Sequence, residues 1–404
     1  MARLNGFTKK QILDIYKKMV LSRKLDDKML IMLKQGKSFF HIGASGHEAA
    51  QLAAAVLITP GKDWSFPYYR DGAYCIGLGL KAREQLLGFL AKADDPSSGG
   101  RQMPQHYGQK DLRIVTQSSP TGTQFLQAVG CAMARKKEKT KEVVYVSSGE
   151  GTTSQGDFHE ALNWASNAKA PVIFHIQDNE YAISTHKSEQ TADSVYNMTA
   201  GYKNLSRYDV DGTDFFEANL AFDQAIERAR KGKGPSVIIS NVVRLLPHSS
   251  SDDQRKYRTE KSLNEDKKRD PLKVLEDQCL KAKFISASEF KNIRDKAIEQ
   301  VDKDAEWADG QDYPDPNTAL DHIYSNDDIH DEPSYNAISD KIVIVDAINH
   351  ALHEEMARNK NMVIYGQDIA DPKGGVFTAT KGLSDSFGSE RVFNSPLAES
   401  SIIG

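Results

Sequence analysis

An acidic residue between two glycines follows a short β-branched run in the middle of the chain. The run is Val143-Val144-Tyr145-Val146, and Ser147-Ser148-Gly149-Glu150-Gly151-Thr152 comes directly after it. Glycines let a backbone approach a ligand closely, and the first N–H groups of a following helix attract an anion. The helical pattern after Glu150 therefore predicts that a phosphate group binds at this turn.

A second polar turn, Gln177-Asp178-Asn179-Glu180-Tyr181, follows the next apolar run, Val172 to Ile176. The carboxyl ends of neighbouring parallel strands lie at one edge of a sheet, so we expect Glu150 and Asn179 to converge. Carboxylate, amide and carbonyl oxygens are hard donors, and a magnesium ion completes its octahedron with phosphate oxygens and water. The two turns together predict a magnesium-bridged diphosphate site.

Two other interpretations of the glycine turn remain open. In the first, the glycines only solve the geometry of a strand-to-helix turn. In the second, the chain is a nicotinamide-dependent Rossmann oxidoreductase in which Asp178 binds a ribose. Against the second, Ser154 stands where the third glycine of Gly-x-Gly-x-x-Gly belongs. An anionic Glu150 would also repel a bare pyrophosphate, so the magnesium interpretation is favoured.

The elements that must position these turns are helices alternating with strands. Thr8 to Gln11 form a capping-box pattern, and apolar residues at helical spacing follow as far as Gly36, which predicts an N-terminal helix. From Val143 onward, short β-branched runs such as Pro171 to Phe174 and Ser236 to Ile239 alternate with helical stretches. Continuous apolar runs of this kind are typical of parallel strands covered on both faces. The predicted fold class is α/β with a parallel sheet.

The composition divides the chain into three parts. Acidic residues and prolines are concentrated between 302 and 335, which predicts a solvated linker. An amphipathic pattern from Ile344 to Met356 and a strand from Met362 to Tyr365 then indicate the beginning of a second α/β domain. We expect a first domain over 1–300, an acidic linker over 301–339 and the start of a second domain over 340–404. About 64 residues are too few for a doubly wound domain, so we expect the rest of it from further sequence or from a partner.

Charge, cysteine usage and hydropathy exclude several classes of protein. The 404 residues contain 52 Lys and Arg against 56 Asp and Glu, a net charge of −4, which argues against a general nucleic-acid binder. Cys75, Cys131 and Cys279 are far apart and indicate a reducing compartment. No apolar run approaches the roughly 20 residues that span a bilayer, and the N-terminus has no secretion or import pattern. We expect a cytoplasmic protein that binds neither membranes nor nucleic acid.

Several sequence blocks resemble the thiamine-diphosphate-dependent 2-oxo acid dehydrogenases. Gly149-Glu150-Gly151 followed by Asp178-Asn179 is similar to the thiamine diphosphate motif. The blocks that resemble the α subunit of the branched-chain enzymes are Arg101 to Tyr107, Ser118 to Pro120, Ser154 to Glu160 and Tyr181 to Ser184. Those that resemble the opening of the β subunit are Tyr365 to Asp368, Gly374 to Phe377 and Arg391 to Glu399. The chain is identified as an α–β fusion of this family, with a thiamine-diphosphate-binding fold before the second α/β domain.

The resemblance implies a role for each matched residue. The implied magnesium ligands are the side chains of Glu150 and Asn179 and the carbonyl of Tyr181. The residues implied to hold the diphosphate are Tyr69, Arg70, Gly151 and Thr152, and those implied to touch the aminopyrimidine are Ser119 and the carbonyl of Thr121. A potassium site would comprise Ser118, Pro120, Thr123 and Gln124, although a plain turn explains these residues equally well.

Two further residues are implied to act on the chemistry. His248 would bind beside the cofactor and steady the bound intermediate. Glu399 would hydrogen-bond a pyrimidine ring nitrogen of the cofactor, as a buried carboxyl that can stay protonated. On sequence alone, a solvated surface charge is the alternative for Glu399. Gln367 stands where relatives often have an acid, so a proton relay between paired sites is not implied.

The loop Pro247 to Asp253 carries His248 and resembles an active-site loop of the branched-chain enzymes. We expect Arg244 and Arg258, which flank the loop, to pair with its two aspartates, Asp252 and Asp253. Ser249 matches the position phosphorylated in mitochondrial relatives, although nothing in the sequence indicates a kinase.

The activity implied is the oxidative decarboxylation of a branched-chain 2-oxo acid, with transfer of the acyl group to a lipoyl domain of an acyltransferase core. Pyruvate-specific relatives usually carry Gly-Gly-Ser-Met-His where this chain has Arg101 to His106. Phe39, Phe40 and Met103 are candidates for the apolar surface that receives a branched side chain, although core packing is an equally ordinary use. A pyruvate- or acetoin-type enzyme and a non-catalytic, cofactor-binding subunit remain alternatives. We expect at least a homodimer, with Glu399 acting in cis or in trans.

Overall fold

The computed structural model describes residues 2–321, 323–324 and 341–404. The chain divides into two compact units, Met1–Ala319 and Leu320–Gly404. Part of the predicted acidic linker, residues 322 and 325–339, lies outside the described residues.

The first unit contains a parallel sheet and a layer of helices on each of its faces. Its strands are β1 Arg3–Leu4, β2 Phe7–Thr8, β3 Trp64–Phe66, β4 Val144–Gly149, β5 Val172–Asp178, β6 Tyr181–Ala182, β7 Thr185–His186, β8 Ser206–Asp211 and β9 Ser236–Asn241. Its helices are α1 Lys9–Lys34, α2 Glu48–Ala55, α3 Gly72–Leu78, α4 Ala82–Phe89, α5 Thr123–Lys137, α6 Gly156–Ala168, α7 Lys187–Gln190, α8 Val195–Met198, α9 Phe215–Arg230, α10 Glu260–Lys268, α11 Pro271–Lys281 and α12 Ala287–Asp309. The mixed α/β fold class predicted from the sequence is confirmed.

The central sheet has five parallel strands in the order β3-β4-β5-β9-β8. Side chains alternate between the two faces of a strand, and β5 shows what covers each face. The Phe174 ring packs against Phe125 of α5 and Phe158 of α6, whereas the next ring, His175, packs against Phe222 of α9. Both faces are therefore buried, which explains why the strands have continuous apolar runs.

The N-terminal helix α1 begins as the capping-box pattern predicts. The Thr8 hydroxyl accepts from the Gln11 backbone N–H, and the Gln11 side chain accepts from the Thr8 backbone N–H. The helix ends at Lys34, and Gly36 follows in the left-handed region with φ of 74°. The predicted apolar face, which includes Ile15 and Met19, is buried.

The helix α12 extends into the segment that was predicted to be solvated linker. The predicted boundary at residue 300 falls inside this helix, which continues to Asp309. Val301, Ala305 and Ala308 are buried and belong to a core cluster with residues of α1 and α4. The acidic residues of 301–309 lie on the outer face of a packed helix, so this part of the chain is not linker.

The second unit is small, and a helix is the first element in its described residues. Its elements are α13 Ile344–Arg358, β10 Ile364–Gly366, α14 Leu383–Phe387, β11 Val392–Asn394 and α15 Glu399–Ile403. The strands β10 and β11 pair in parallel, so the residues that follow them lie at one edge. Met356, Leu383 and Val392 form its buried core.

Two simpler expectations can be compared with the structure. All three cysteines are free, so no disulfide stabilises either unit. Among the described residues, no helix combines the length and the hydropathy that crossing a membrane requires.

Candidate functional site

An open cleft of about 440 Å³ lies beside the residues that follow β4 and β5 at the carboxyl edge of the sheet. Its lining includes these residues that the sequence singled out: Tyr69, Arg70, Ser119, Thr121, Glu150, Gly151, Thr152, Asn179, Tyr181 and His248. They come from five separate stretches of the chain, which the sheet edge and its loops bring together.

Glu150 is a buried acid with one oxygen that has no hydrogen-bond partner. It begins a five-residue 3₁₀ turn, Glu150–Ser154, which separates β4 from the N-terminus of α6. Its Oε2 accepts from the backbone N–H of Asn179 at 3.2 Å, while its buried Oε1 has no partner. Burial, followed by the nearby Asp178 carboxylate, raises the pKa of Glu150 to about 7. An uncompensated carboxylate is costly in such a position, so the geometry favours a bound cation.

The other oxygens of the predicted metal site lie next to Glu150. The Asn179 side-chain oxygen accepts from the Tyr181 backbone N–H at 3.3 Å, and Asn179 is itself buried. The Tyr181 carbonyl accepts weakly from Arg244 at 3.4 Å, which leaves a lone pair for another donor or a metal. One carboxylate, one amide and one carbonyl oxygen are a sparse, hard donor set. The residues present therefore fit a magnesium ion that takes its remaining ligands from phosphate and water.

Gly151 and Thr152 lie on one side of the cleft, and position 151 has no space for a side chain. A Cβ at Gly151 would lie 2.5 Å from the Ala182 Cβ, so any side chain there would force the two segments apart. The Thr152 hydroxyl accepts from Ser148 at 2.7 Å, which fixes its orientation. The glycine thus lets the turn pack directly against Ala182, and Gly151, Thr152 and Ala182 all line the cleft.

Arg70 places a buried cation at the same cleft. Its side chain is 2% exposed, and one terminal nitrogen donates to the Gly43 carbonyl at 2.6 Å. The other terminal nitrogen donates to the His248 carbonyl at 3.3 Å and contacts the ring Nδ1 at 3.4 Å. The guanidinium also lies 5.3 Å from the centre of the Tyr69 ring. Part of the guanidinium fork is thus occupied by protein groups, while its charge remains close to the cleft.

His248 is held neutral beside Arg70. Burial, with the positive charges of Arg70 and Arg244, lowers the pKa of His248 to about 4. Its backbone N–H donates to the Asp252 carboxylate at 2.8 Å, and its ring packs edge-on against Tyr69 at 6.0 Å between centroids. A neutral imidazole can donate at one nitrogen and accept at the other.

The predicted pairing of the arginines that flank this loop was wrong. Arg244 donates to the Tyr257 hydroxyl at 2.7 Å, and Arg258 pairs with Asp266 at 2.6 Å, not with Asp252 or Asp253. Asp252 instead accepts from the Tyr257 hydroxyl, and Asp253 pairs with exposed Arg255. The arginines reach buried polar groups because, once buried, they need acceptors within the protein.

The turn before α5 contains the residues predicted for the aminopyrimidine and for potassium. Ser119 and Thr121 line the cleft. Around the proposed potassium site, the Thr123 hydroxyl donates to the Pro120 carbonyl at 2.9 Å. Gln124 accepts from the Gly122 backbone N–H and donates to the Ser147 carbonyl, so its amide stabilises the turn itself. Ser118 lies in the same turn, and the potassium site stays a prediction.

Glu399 belongs to the second unit and is exposed there. It is the first residue of α15, and a hydrogen bond from the Gln367 side chain, with one from its own backbone N–H, lowers its pKa. Gln367 follows β10 and Glu399 follows β11, so the parallel pairing of these strands brings them together. Within this unit Glu399 is an ionised surface acid, which differs from the buried, protonated carboxyl implied by the resemblance.

Several lining residues had not been assigned a role from the sequence: Ile42, Tyr68, His106, Ala182, Ile183 and Gln190. Phe40 and Met103 had been candidates for the apolar surface, whereas their companion Phe39 is 97% exposed and is not part of the lining. Gln190 donates to the Gly151 carbonyl at 3.0 Å and so supports the glycine turn. The block Arg101 to Tyr107 was the available signal for His106.

Comparisons with known proteins identify two matching families and several relatives. The dehydrogenase E1 component family matches residues 16–317, and the transketolase pyrimidine-binding domain family matches residues 340–404. The chain is 40% identical over 321 residues to the 2-oxoisovalerate dehydrogenase subunit alpha of Bacillus subtilis, covering 79% of this chain and 97% of the relative. It is 35% identical over 266 residues to the pyruvate dehydrogenase E1 component subunit alpha of Staphylococcus aureus, covering 66% and 69%. It is 33% identical over 321 residues to the mitochondrial 2-oxoisovalerate dehydrogenase subunit alpha of Macaca fascicularis, covering 78% and 71%.

Proposed function

The chain belongs to the dehydrogenase E1 component family, and on that premise we propose that it catalyses the oxidative decarboxylation of branched-chain 2-oxo acids. It is a thiamine-diphosphate-dependent oxidoreductase in which an α-like part is fused to a β-like, pyrimidine-binding part. The observation that carries the proposal is the buried, unpartnered Oε1 of Glu150 beside Asn179 in the cleft. Because the family requires a diphosphate cofactor, this oxygen would be a ligand of the metal ion that accompanies the diphosphate.

Each part of the cleft has a task in this reaction. We assign Glu150, Asn179 and the Tyr181 carbonyl to magnesium. Gly151, Thr152, Tyr69 and the charge of Arg70 are assigned to the diphosphate. When bound, thiamine diphosphate supplies the carbon nucleophile and the electron sink for loss of carbon dioxide. The neutral His248 ring, which can both donate and accept, would steady the bound intermediate. Glu399 lies on the second unit and outside the cleft lining, and we assign it, in cis or in trans, to the proton at the pyrimidine ring.

The partners follow from the chemistry. E1 components work with the lipoyl acyltransferase core of a 2-oxo acid dehydrogenase complex, which receives the acyl group. We propose that the working unit is at least a homodimer, and sedimentation of the cofactor-loaded chain measures this directly, with an active monomer as the contrary result. We also propose a cytoplasmic location, because the three cysteines are free, and cell fractionation tests it. Potassium binding at residues 118–124 is proposed on the resemblance alone.

Calorimetric titration tests the proposed function. The cofactor-free chain is titrated with thiamine diphosphate in the presence of magnesium. In the control titration, a chelator of divalent cations replaces the magnesium. We expect saturable binding that requires the divalent cation, because a bare diphosphate would be repelled by Glu150. Binding of NAD without any binding of thiamine diphosphate would instead support the nicotinamide oxidoreductase.

The substrate class is tested by comparing kcat/KM for 2-oxoisovalerate, 4-methyl-2-oxopentanoate and pyruvate with an artificial electron acceptor. Phe40 and Met103 line the cleft and offer apolar surface to a branched side chain. Each additional methylene buried in a fitted pocket changes specificity by about 10- to 200-fold. We expect both branched substrates to exceed pyruvate by at least tenfold. Equal or better values for pyruvate would assign the chain to the pyruvate type, whose α subunit is also a relative.

A further inference from the structure

His106 and Ser119 meet in the cleft although they are 13 positions apart in the sequence. His106 lies on the loop after Arg101 and is buried, whereas Ser119 lies in the turn before α5 and is exposed to the cleft. The Nε2 atom of His106 is 2.5 Å from the Ser119 hydroxyl oxygen. The other ring nitrogen, Nδ1, is 3.2 Å from the Pro104 carbonyl oxygen. Both nitrogens of the ring therefore have fixed partners.

The contact with the Pro104 carbonyl indicates that Nδ1 of His106 carries a hydrogen. A carbonyl oxygen only accepts hydrogen bonds, so the hydrogen lies on Nδ1. Nε2 then has a lone pair and no hydrogen, and it accepts the hydrogen bond that the Ser119 hydroxyl donates. A hydroxyl has a single hydrogen, so the Ser119 oxygen offers only lone pairs to the cleft.

We propose that His106 is a positioning residue that orients Ser119 as a hydrogen-bond acceptor for the amino group on the pyrimidine ring of thiamine diphosphate. The inference rests on the proposed function and on the contact with the aminopyrimidine that the family resemblance implies for Ser119, which lines the cleft. An amino hydrogen complements an acceptor. An oxo oxygen at the same ring position would face Ser119 lone pair to lone pair. The pair thus selects the amino form of the cofactor over its oxo analogue, in which an oxo group replaces the amino group.

The experiment measures the dissociation constants of both ligands for the cofactor-free full chain by calorimetry. Magnesium is present, and all variants are measured in the same buffer. We expect the unmodified chain to prefer thiamine diphosphate over the oxo analogue by at least about tenfold. His106→Leu removes the acceptor, so the Ser119 hydroxyl can rotate and donate, and the preference should fall towards one. His106→Gln places an amide oxygen near the Nε2 position and should restore the preference.

The ratio of the two affinities separates positioning from mere support of the loop. If His106 only supported the loop, its replacement would weaken the affinity for both ligands by the same factor and leave the ratio of affinities unchanged. An unchanged ratio in His106→Leu would overturn the inference. Where His106→Leu fails to fold by circular dichroism, Ser119→Ala decides, since an unchanged ratio there overturns the inference equally. An unmodified chain that binds both ligands without preference also overturns it. An unmodified chain that binds neither ligand overturns the proposed function itself.

Discussion

Replacing Glu150 by glutamine is expected to abolish magnesium-dependent binding of thiamine diphosphate while leaving the protein folded. Glu150 supplies the only charged oxygen of the proposed metal site, and its Oε1 has no other partner. Loss of a charged ligand costs several kcal/mol, which corresponds to a loss of affinity of about a hundredfold or more. The measurement is calorimetric titration of the cofactor-free variant with thiamine diphosphate and magnesium.

The same substitution is expected to stabilise the cofactor-free protein. Burial raises the pKa of Glu150 to about 7, so the folded state disfavours the ionised carboxyl. The resulting penalty is absent below the ordinary pKa of a glutamate, develops as the pH rises towards 7 and is complete above it. At about pH 8, Glu150→Gln should therefore raise the free energy of unfolding by about 2 kcal/mol, with a smaller effect at about pH 5. Denaturant titration at the two pH values measures the difference.

The matched control for these two measurements is Glu189→Gln, which removes an exposed acid of α7 that precedes the lining residue Gln190. It should change neither the affinity for the cofactor nor the stability by more than about 0.5 kcal/mol. Unchanged affinity for thiamine diphosphate in Glu150→Gln would refute the metal site. A variant that binds no cofactor because it is unfolded would be recognised by its lost unfolding transition.

The parts of the structure that could be predicted are those that local patterns specify. The capping box at Thr8 and the continuous apolar strands encode their own geometry, because the groups that satisfy each other are a few residues apart. The convergence of Glu150 and Asn179 also followed from sequence, since neighbouring parallel strands end at one sheet edge. That inference needed only the expectation that the two strands are neighbours in a parallel sheet.

The parts that could not be predicted depend on which distant group a side chain meets. Arg258 lies five residues from Asp253 in the sequence but pairs with Asp266, because a buried guanidinium takes whichever acceptor the packing brings to it. The contact of His106 with Ser119 joins two irregular loops, for which the sequence has no periodicity. The end of α12 could have been predicted, because Val301, Ala305 and Ala308 have helical spacing. The many acidic residues around them led to the prediction of a linker instead.

Replacing Glu399 by glutamine is expected to remove most of the catalytic activity without removing the cofactor. An acid that holds a proton at the reacting ring contributes about 10²- to 10⁴-fold to the rate, so kcat for a branched 2-oxo acid should fall by that factor. Glutamine retains the size of the side chain and a hydrogen-bonding group, so the dissociation constant of thiamine diphosphate should change by less than about tenfold. The activity assay with an artificial electron acceptor and calorimetry measure the two quantities separately.

The control for Glu399→Gln is Glu390→Gln. Glu390 is an exposed acid of the same unit that makes no proposed contact with the cofactor, so the kcat of this variant should equal that of the unmodified chain.

The result for Glu399→Gln also indicates whether the surroundings of Glu399 change when the cofactor binds. Gln367 and the backbone at the start of α15 lower the pKa of Glu399, which keeps it ionised in this unit. A carboxyl that must hold a proton needs the opposite shift, and desolvation by an apolar surface or by the bound ring supplies it. A large loss of kcat would mean that binding reverses the shift seen in the unit alone, whereas an unchanged kcat would leave Glu399 as the solvated surface charge that its present surroundings favour.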